Sequence, residues 1–293
     1  MLLFFAGGES PEIRQLLYEC GVRNILMSYY YILQRAVNMD EVLSTFDRVV
    51  VDSGAFTLGA GHEAWSRHKK EKTTSLQLFE NWLTDYLLFL EKYKGRFYWA
   101  ANLDLNTFVG DGIVYKWNDE FEKLERDGQR ICYVSHDSRK PYRNLWQYFD
   151  RYKFIGVAGG IDSKGKVLKS DVGYFSQVYN LSVRYRKLVH GFAMTNFVSF
   201  DRFPLFTVDS TTYLGGVKFG TTYVYNGAYF ETWDYRHKYR RKALKRQCEE
   251  RGVDFDLFLA DDGMEVTRYN IHSWLENEKL FNKKTKARQW WMN

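Results

Sequence analysis

Eight short apolar runs recur along the chain, and most are continuous rather than alternating. They are LLFFA (2–6), NILMSYY (24–30), RVVVD (48–52), FYWAANLD (97–104), ICYVSH (131–136), FIGVAGG (154–160), KLVHGFAM (187–194) and PLFTVD (204–209). A strand covered on both faces reads as such a run, as the strands of parallel sheets do. Helical patterns lie between several of them. PEIRQLLYECG opens with Pro11 after Ser10 and closes on Gly21, and LQLFENWLTDYLLFLEKYKG repeats apolar residues every three or four positions up to Gly95. Alternating strand and helix predicts a parallel sheet with right-handed crossovers. Eight runs in 293 residues favour a (β/α)8 barrel over an open sheet. The second run is the least secure strand, because its YY end also suits a helix.

Beyond about residue 215 the pattern changes. GGVKFGTTYVYNGAYF predicts a hairpin with Asn226-Gly227 as its turn. A helix rich in Arg and Lys follows, then a mixed segment ending in a basic, Trp-rich tail. The expected organisation is a catalytic barrel over 1–214 and a C-terminal appendix over 215–293 packed on it.

Three of the apolar runs end in aspartate: Asp52 in VVVDSGAF, Asp104 in WAANLDLN and Asp209 in FTVDSTTY. The carboxyl ends of barrel strands are where active sites are built. Each aspartate alone also suits a turn cap. Converging on one rim, they suit attack at an anomeric carbon, with one carboxylate as nucleophile and another protonating the leaving group. A third carboxylate can accept from N1–H and the exocyclic amino group of a guanine-like base. Ser53 and Gly54 follow Asp52, and Gly54 allows a tight turn. Gly159 and Gly160 let a planar ring approach the backbone, or simply permit close packing. HGFAM puts His190, Gly191 and Met194 at another strand end, where His190 and Met194 read either as pocket or as core. His136 stands at the fifth strand end.

Charge sharpens this only moderately. The net charge is +6 with a pI near 9.0, and aromatics make up 18% of the chain, which fits a polyanionic partner and base stacking as well as core packing. Seven cations, Arg236, Lys238, Arg240, Arg241, Lys242, Lys245 and Arg246, are crowded into one predicted helix and suit phosphate contacts, or a solvated face. The three cysteines are scattered, the histidines show no ligand spacing, and neither a leader nor a membrane span is legible. A soluble, cytoplasmic protein without a metal is expected.

DSGAF, the NLD strand end, VAGGI, HGFAM and VDST, in that order, resemble the motifs of tRNA-guanine transglycosylases, (β/α)8 enzymes that exchange guanine for a 7-deazaguanine. The resemblance spans roughly 48–215. It implies Asp209 as the nucleophile on C1′, Asp52 as general acid/base, and Asp104 as the carboxylate on the guanine face. It also implies Gly159 and Gly160 at the base, and Ser53, His136, His190, Gly191 and Met194 are the further candidate substrate-binding residues. Two features depart from the tRNA enzymes. Only Cys248 follows Asp209, so their zinc site is not formed, and Ser135-His136 stand where they carry a base-reading glutamine. A short chain without the zinc subdomain is more similar to the DNA-modifying (DpdA-like) branch of phages and bacteria. That implies a cofactor-free exchange of guanine in DNA for a free 7-deazaguanine base such as the 7-cyano derivative. A tRNA or RNA substrate, and a catalytically silent nucleic-acid-binding barrel, are the alternatives. An ordinary glycosidase would leave the basic run unexplained.

Overall fold

A computed structural model describes residues 1–59, 75–135, 145–158, 160–161, 167–168, 172–194, 202–227 and 230–292. Eight parallel strands close into a barrel: β1 Leu2–Ala6, β2 Asn24–Ser28, β3 Arg48–Asp52, β4 Trp99–Ala101, β5 Ile131–Ser135, β6 Phe154–Ala158, β7 Leu188–Phe192 and β8 Thr207–Ser210. Each strand pairs with its neighbour in sequence and β8 returns to β1, with Phe4 opposite Asp209. Helices cross between the strands, so the molecule is a (β/α)8 barrel.

The runs read as continuous because both strand faces are covered. Phe4, Val50, Trp99, Cys132, Val134 and Phe154 fill the barrel interior. Their neighbours Leu3, Phe5, Val49, Val51, Ile155 and Val157 pack outward in the main core. The second run is shared: Asn24–Ser28 is strand, and Tyr29–Gln34 turns at once into helix. Helix Pro11–Glu19 has proline in its first turn, and Gly21 follows at φ +82°.

The expected boundary at 214/215 separates pieces that the packing joins. Helix Gly263–Thr285 contributes Ile271, Trp274 and Phe281 to the main core. It also accepts Leu3 N–H of β1 on Glu278 Oε1 at 2.8 Å. It therefore fills the helical position after β8, and residues 215–262 form an insertion ahead of it. Within the insertion, Gly215–Phe219 is a short helix rather than hairpin. The hairpin is Thr222–Tyr225 against Phe230–Trp233. The insertion's own small core of Val224, Leu244, Cys248, Val253 and Phe258 leans on Val266 and Tyr269 of that helix.

The basic run is also not one α-helix. Tyr235–Leu244 is 3-10, and α-helix begins only at Lys245. Three residues per turn put Arg241 and Leu244 on one inward face, and both are buried. Arg241 is spent inside: Nε donates to Thr222 Oγ1 (2.8 Å), Nη1 to Phe258 O (3.1 Å) and Asp261 Oδ1 (2.6 Å), and Nη2 to Gly220 O (2.7 Å). The expectation of a phosphate contact at Arg241 is thus corrected, because no part of it reaches solvent. Replacing it strands two carbonyls and a carboxylate, so Arg241→Met should cost on the order of 3–5 kcal/mol. Thermal melting should show a fall of about 10 °C, and Arg241→Lys should not restore it, since one ammonium cannot span four acceptors.

No helix among the described residues is long and apolar enough to cross a membrane.

Candidate active site at the carboxyl rim

The carboxylates at the strand ends meet at one mouth. Asp52 closes β3 and Asp209 lies in β8, while Asp104 follows β4. The turn after Asp52 requires glycine: Gly54 sits at φ +75°, and a Cβ there would meet Tyr30 Cβ at 2.6 Å. Its N–H donates to Asp52 Oδ2 at 3.1 Å. Ser53 turns inward and is buried, so it does not face a ligand. Its Oγ donates to Asp104 Oδ1 (3.2 Å) and accepts from Ala55 N–H (3.3 Å), which makes it a positioner of Asp104.

Asp52 is the electrostatic centre. Burial, then the facing Asp104 carboxylate, push its carboxyl from 3.8 up to about 7. The Gly54 N–H works against this, and Asp209 and Glu9 add to it. Glu9 follows β1 and is itself raised, chiefly by burial, although it accepts Ser28 N–H at 2.6 Å. It is a fourth carboxylate of the rim that the sequence reading missed. Its signal was present, since LLFFAGGE also places an acid just beyond a strand end.

Asp209 is 6% exposed, and its Oδ1 accepts Ala193 N–H at 2.9 Å and faces His190 Nε2 at 3.2 Å. Among the described residues nothing hydrogen-bonds its Oδ2. His190 is wholly buried between Trp99 and Phe192, with ring centroids 4.5 and 4.3 Å away, and burial holds its pKa below the ordinary value. A neutral ring facing a carboxylate must carry its proton on Nε2, so Nδ1 accepts from Thr207 Oγ1 at 2.8 Å. His190 therefore supports Asp209 and does not line a pocket, which corrects its expected place around the base. Met194 is likewise buried, with its sulfur packed over Gly191, where a Cβ would meet it at 2.9 Å. Neither Gly191 nor Met194 offers a surface to a base here. Thr207 and the Ala193 amide complete the support and were not anticipated.

His136 and Gly159 lie outside the described residues. Gly160 begins a two-residue strand, Gly160–Ile161, paired with Val167–Leu168. Cys132, beneath the mouth, is buried and its thiol pushed well up, first by burial and then by Asp104 and Asp52, so it is no nucleophile. On the insertion, Lys238, Arg240, Lys242 and Lys245 are exposed, whereas Arg236 pairs with Asp234 and Arg246 with Glu250. Among the described residues no group of three or more His, Cys, Asp or Glu is arranged to hold a metal ion.

The rim thus joins a carboxyl that keeps its proton close to neutral pH to a second carboxylate with one oxygen held by two donors. That pair is equipped for acid-assisted departure and nucleophilic capture at one carbon. No family model matches the chain, and neither a curated protein nor a solved structure is significantly similar to it, so the chemistry of the rim rests on its own geometry.

Proposed function

We propose that the protein exchanges guanine in DNA for a 7-deazaguanine derivative, such as the 7-cyano base, through a covalent aspartyl-sugar intermediate. The observation that carries this reading is the contrast between Asp52, raised to about 7, and Asp209, whose Oδ1 is held by two donors and whose Oδ2 has no hydrogen bond among the described residues. In the first step Asp209 Oδ2 attacks C1′, the bond from C1′ to the base nitrogen breaks, and Asp52 gives its proton to the departing guanine. In the second, Asp52 takes the proton from the ring nitrogen of the incoming base as that nitrogen attacks C1′ and releases Asp209. Two inversions return the original configuration, and no redox step or cofactor is needed. Asp104, which accepts from Ser53, takes the hydrogen bonds of the guanine edge on this reading. The guanine has to leave a duplex stack to bring C1′ to the rim, so a flipped or single-stranded nucleotide is the substrate. Exposed Lys238, Arg240, Lys242 and Lys245 supply backbone contacts.

The test is incubation with guanine-containing DNA, or with tRNA, plus radiolabelled guanine or its 7-cyano-7-deaza analogue. Label entering DNA is the expected result. Label entering tRNA alone would keep the mechanism and overturn the substrate. Label in neither, with no covalent adduct, would reduce the barrel to a binding protein.

A further inference from the structure

The chain's positive charge is concentrated at the end of the barrel opposite the carboxylate rim. The turns that lead from each helix into the next strand all lie there: 19–24, 45–48, 91–98, 125–130, 150–153 and 184–187. The tail 283–288 joins them, since Asn282 and Gln289 on either side of it both hold the Met1 amine at the start of β1. These seven segments contain 16 Lys and Arg against 6 Asp and Glu. With a net charge of +6 for the whole chain, everything outside them carries four more acids than bases.

Helix C-termini attract cations, but that half-charge effect fades within a turn and accounts for about one cation per helix. Segments 184–187 and 283–288 hold three and four, with no acid in either. Three of the six acids on this face are committed: Glu91 and Asp127 both to Lys94, and Glu19 to Arg268. Arg130, Lys153, Arg184 and Lys286 are exposed and make no ion pair among the described residues. Arg130 and Lys153 line one cavity of about 320 Å³ with Glu125, whose carboxyl is raised by burial. Rings are interleaved with the cations: Arg48 and Arg130 both lie over Tyr98, at 5.6 and 5.1 Å, and Arg186 lies over Trp290.

We infer that this amino-terminal face of the barrel is a second nucleic-acid surface, binding the sugar-phosphate backbone of DNA without reading its sequence. Cations with rings between them suit a charged strand that also carries stackable bases. It engages a segment of DNA other than the one at the rim, so the two faces together raise the effective concentration of DNA at the mouth.

A fluorescently labelled duplex containing only A·T pairs tests this independently of base exchange, because it offers no guanine to the rim. The triple variant Lys153→Gln, Arg184→Gln, Lys286→Gln changes three exposed side chains and should fold normally. A control with the same change in charge, Arg35→Gln, Lys116→Gln, Lys218→Gln, alters exposed cations outside the face. Anisotropy across a salt series should show affinity for the triple variant about tenfold lower, and the slope of log K against log salt smaller by about two to three. The control should bind as the unaltered protein does. Equal losses in both variants would mean that overall charge drives binding, and would overturn the assignment. Unchanged binding in the triple variant would overturn it too. So would failure of the duplex to bind at all while vesicles of anionic phospholipid did.

Discussion

Asp209→Asn should lower base exchange on the order of 10⁴-fold while leaving the protein folded and able to bind guanine-containing DNA. Asparagine is the informative replacement because its Oδ1 can still accept from the Ala193 amide and the His190 ring. The aromatic packing around His190 and the Thr207 contact both survive. What disappears is the carboxylate oxygen that would bond to C1′. The decisive reading is a denaturation-resistant protein–DNA adduct, present with the unaltered protein when no second base is supplied and absent in the variant. Exchange at the normal rate in Asp209→Asn would remove Asp209 from the chemistry and the proposed intermediate with it.

Asp52→Asn is the second large effect, and it acts in opposite directions on activity and stability. With no proton to give, the variant should form the adduct on the order of 10²–10⁴-fold more slowly. In the unaltered protein, adduct formation should fall about tenfold per pH unit above 7, as the acid form is lost, and the variant should show no such limb. Stability follows from the same carboxyl. Its pKa is about 7 folded and close to 3.8 unfolded, so between those values the folded state holds the extra proton. Stability contributed by this group is complete below about pH 4, declines as pH rises to 7, and is flat beyond. Removing the charge should therefore stabilise the protein at pH 8, by on the order of 3 kcal/mol, and change little at pH 4. Melts at the two pH values measure this. Equal stability of the two proteins at pH 8 would mean that Asp52 ionises without strain at the rim.

The barrel was legible because its strands are covered on both faces and therefore appear as unbroken apolar runs ending in polar residues. The same property exposed Asp52, Asp104 and Asp209, the polar residues just where the runs stop. Depth was not legible. Ser53 follows Asp52, and His190 and Met194 stand at the end of a neighbouring strand, but all three are buried, and a two-residue alternation does not say how far below the mouth a side chain lies. Arg241 was hidden among six other cations, and only its three-residue spacing from Leu244 marked it as inward. Helix Gly263–Thr285 escaped because an insertion separates it from β8, and local pattern carries no information about which distant strand a helix will cover.

That separation has a consequence for how the chain reaches its native state. Leu3 and Glu278, bonded through the β1 amide, stand 275 positions apart. During synthesis β1 leaves the ribosome long before the helix that will shield it, and before β8, its partner on one side. Until then its unpaired edge and outward residues Leu3 and Phe5 are exposed to other nascent chains. Closure of the ring is a late, long-range event, slow because so much chain has to be looped to make it. Stretches that fold early should be the contiguous β2–β6 units, with the seam between β8 and β1 the last to form and the first to open.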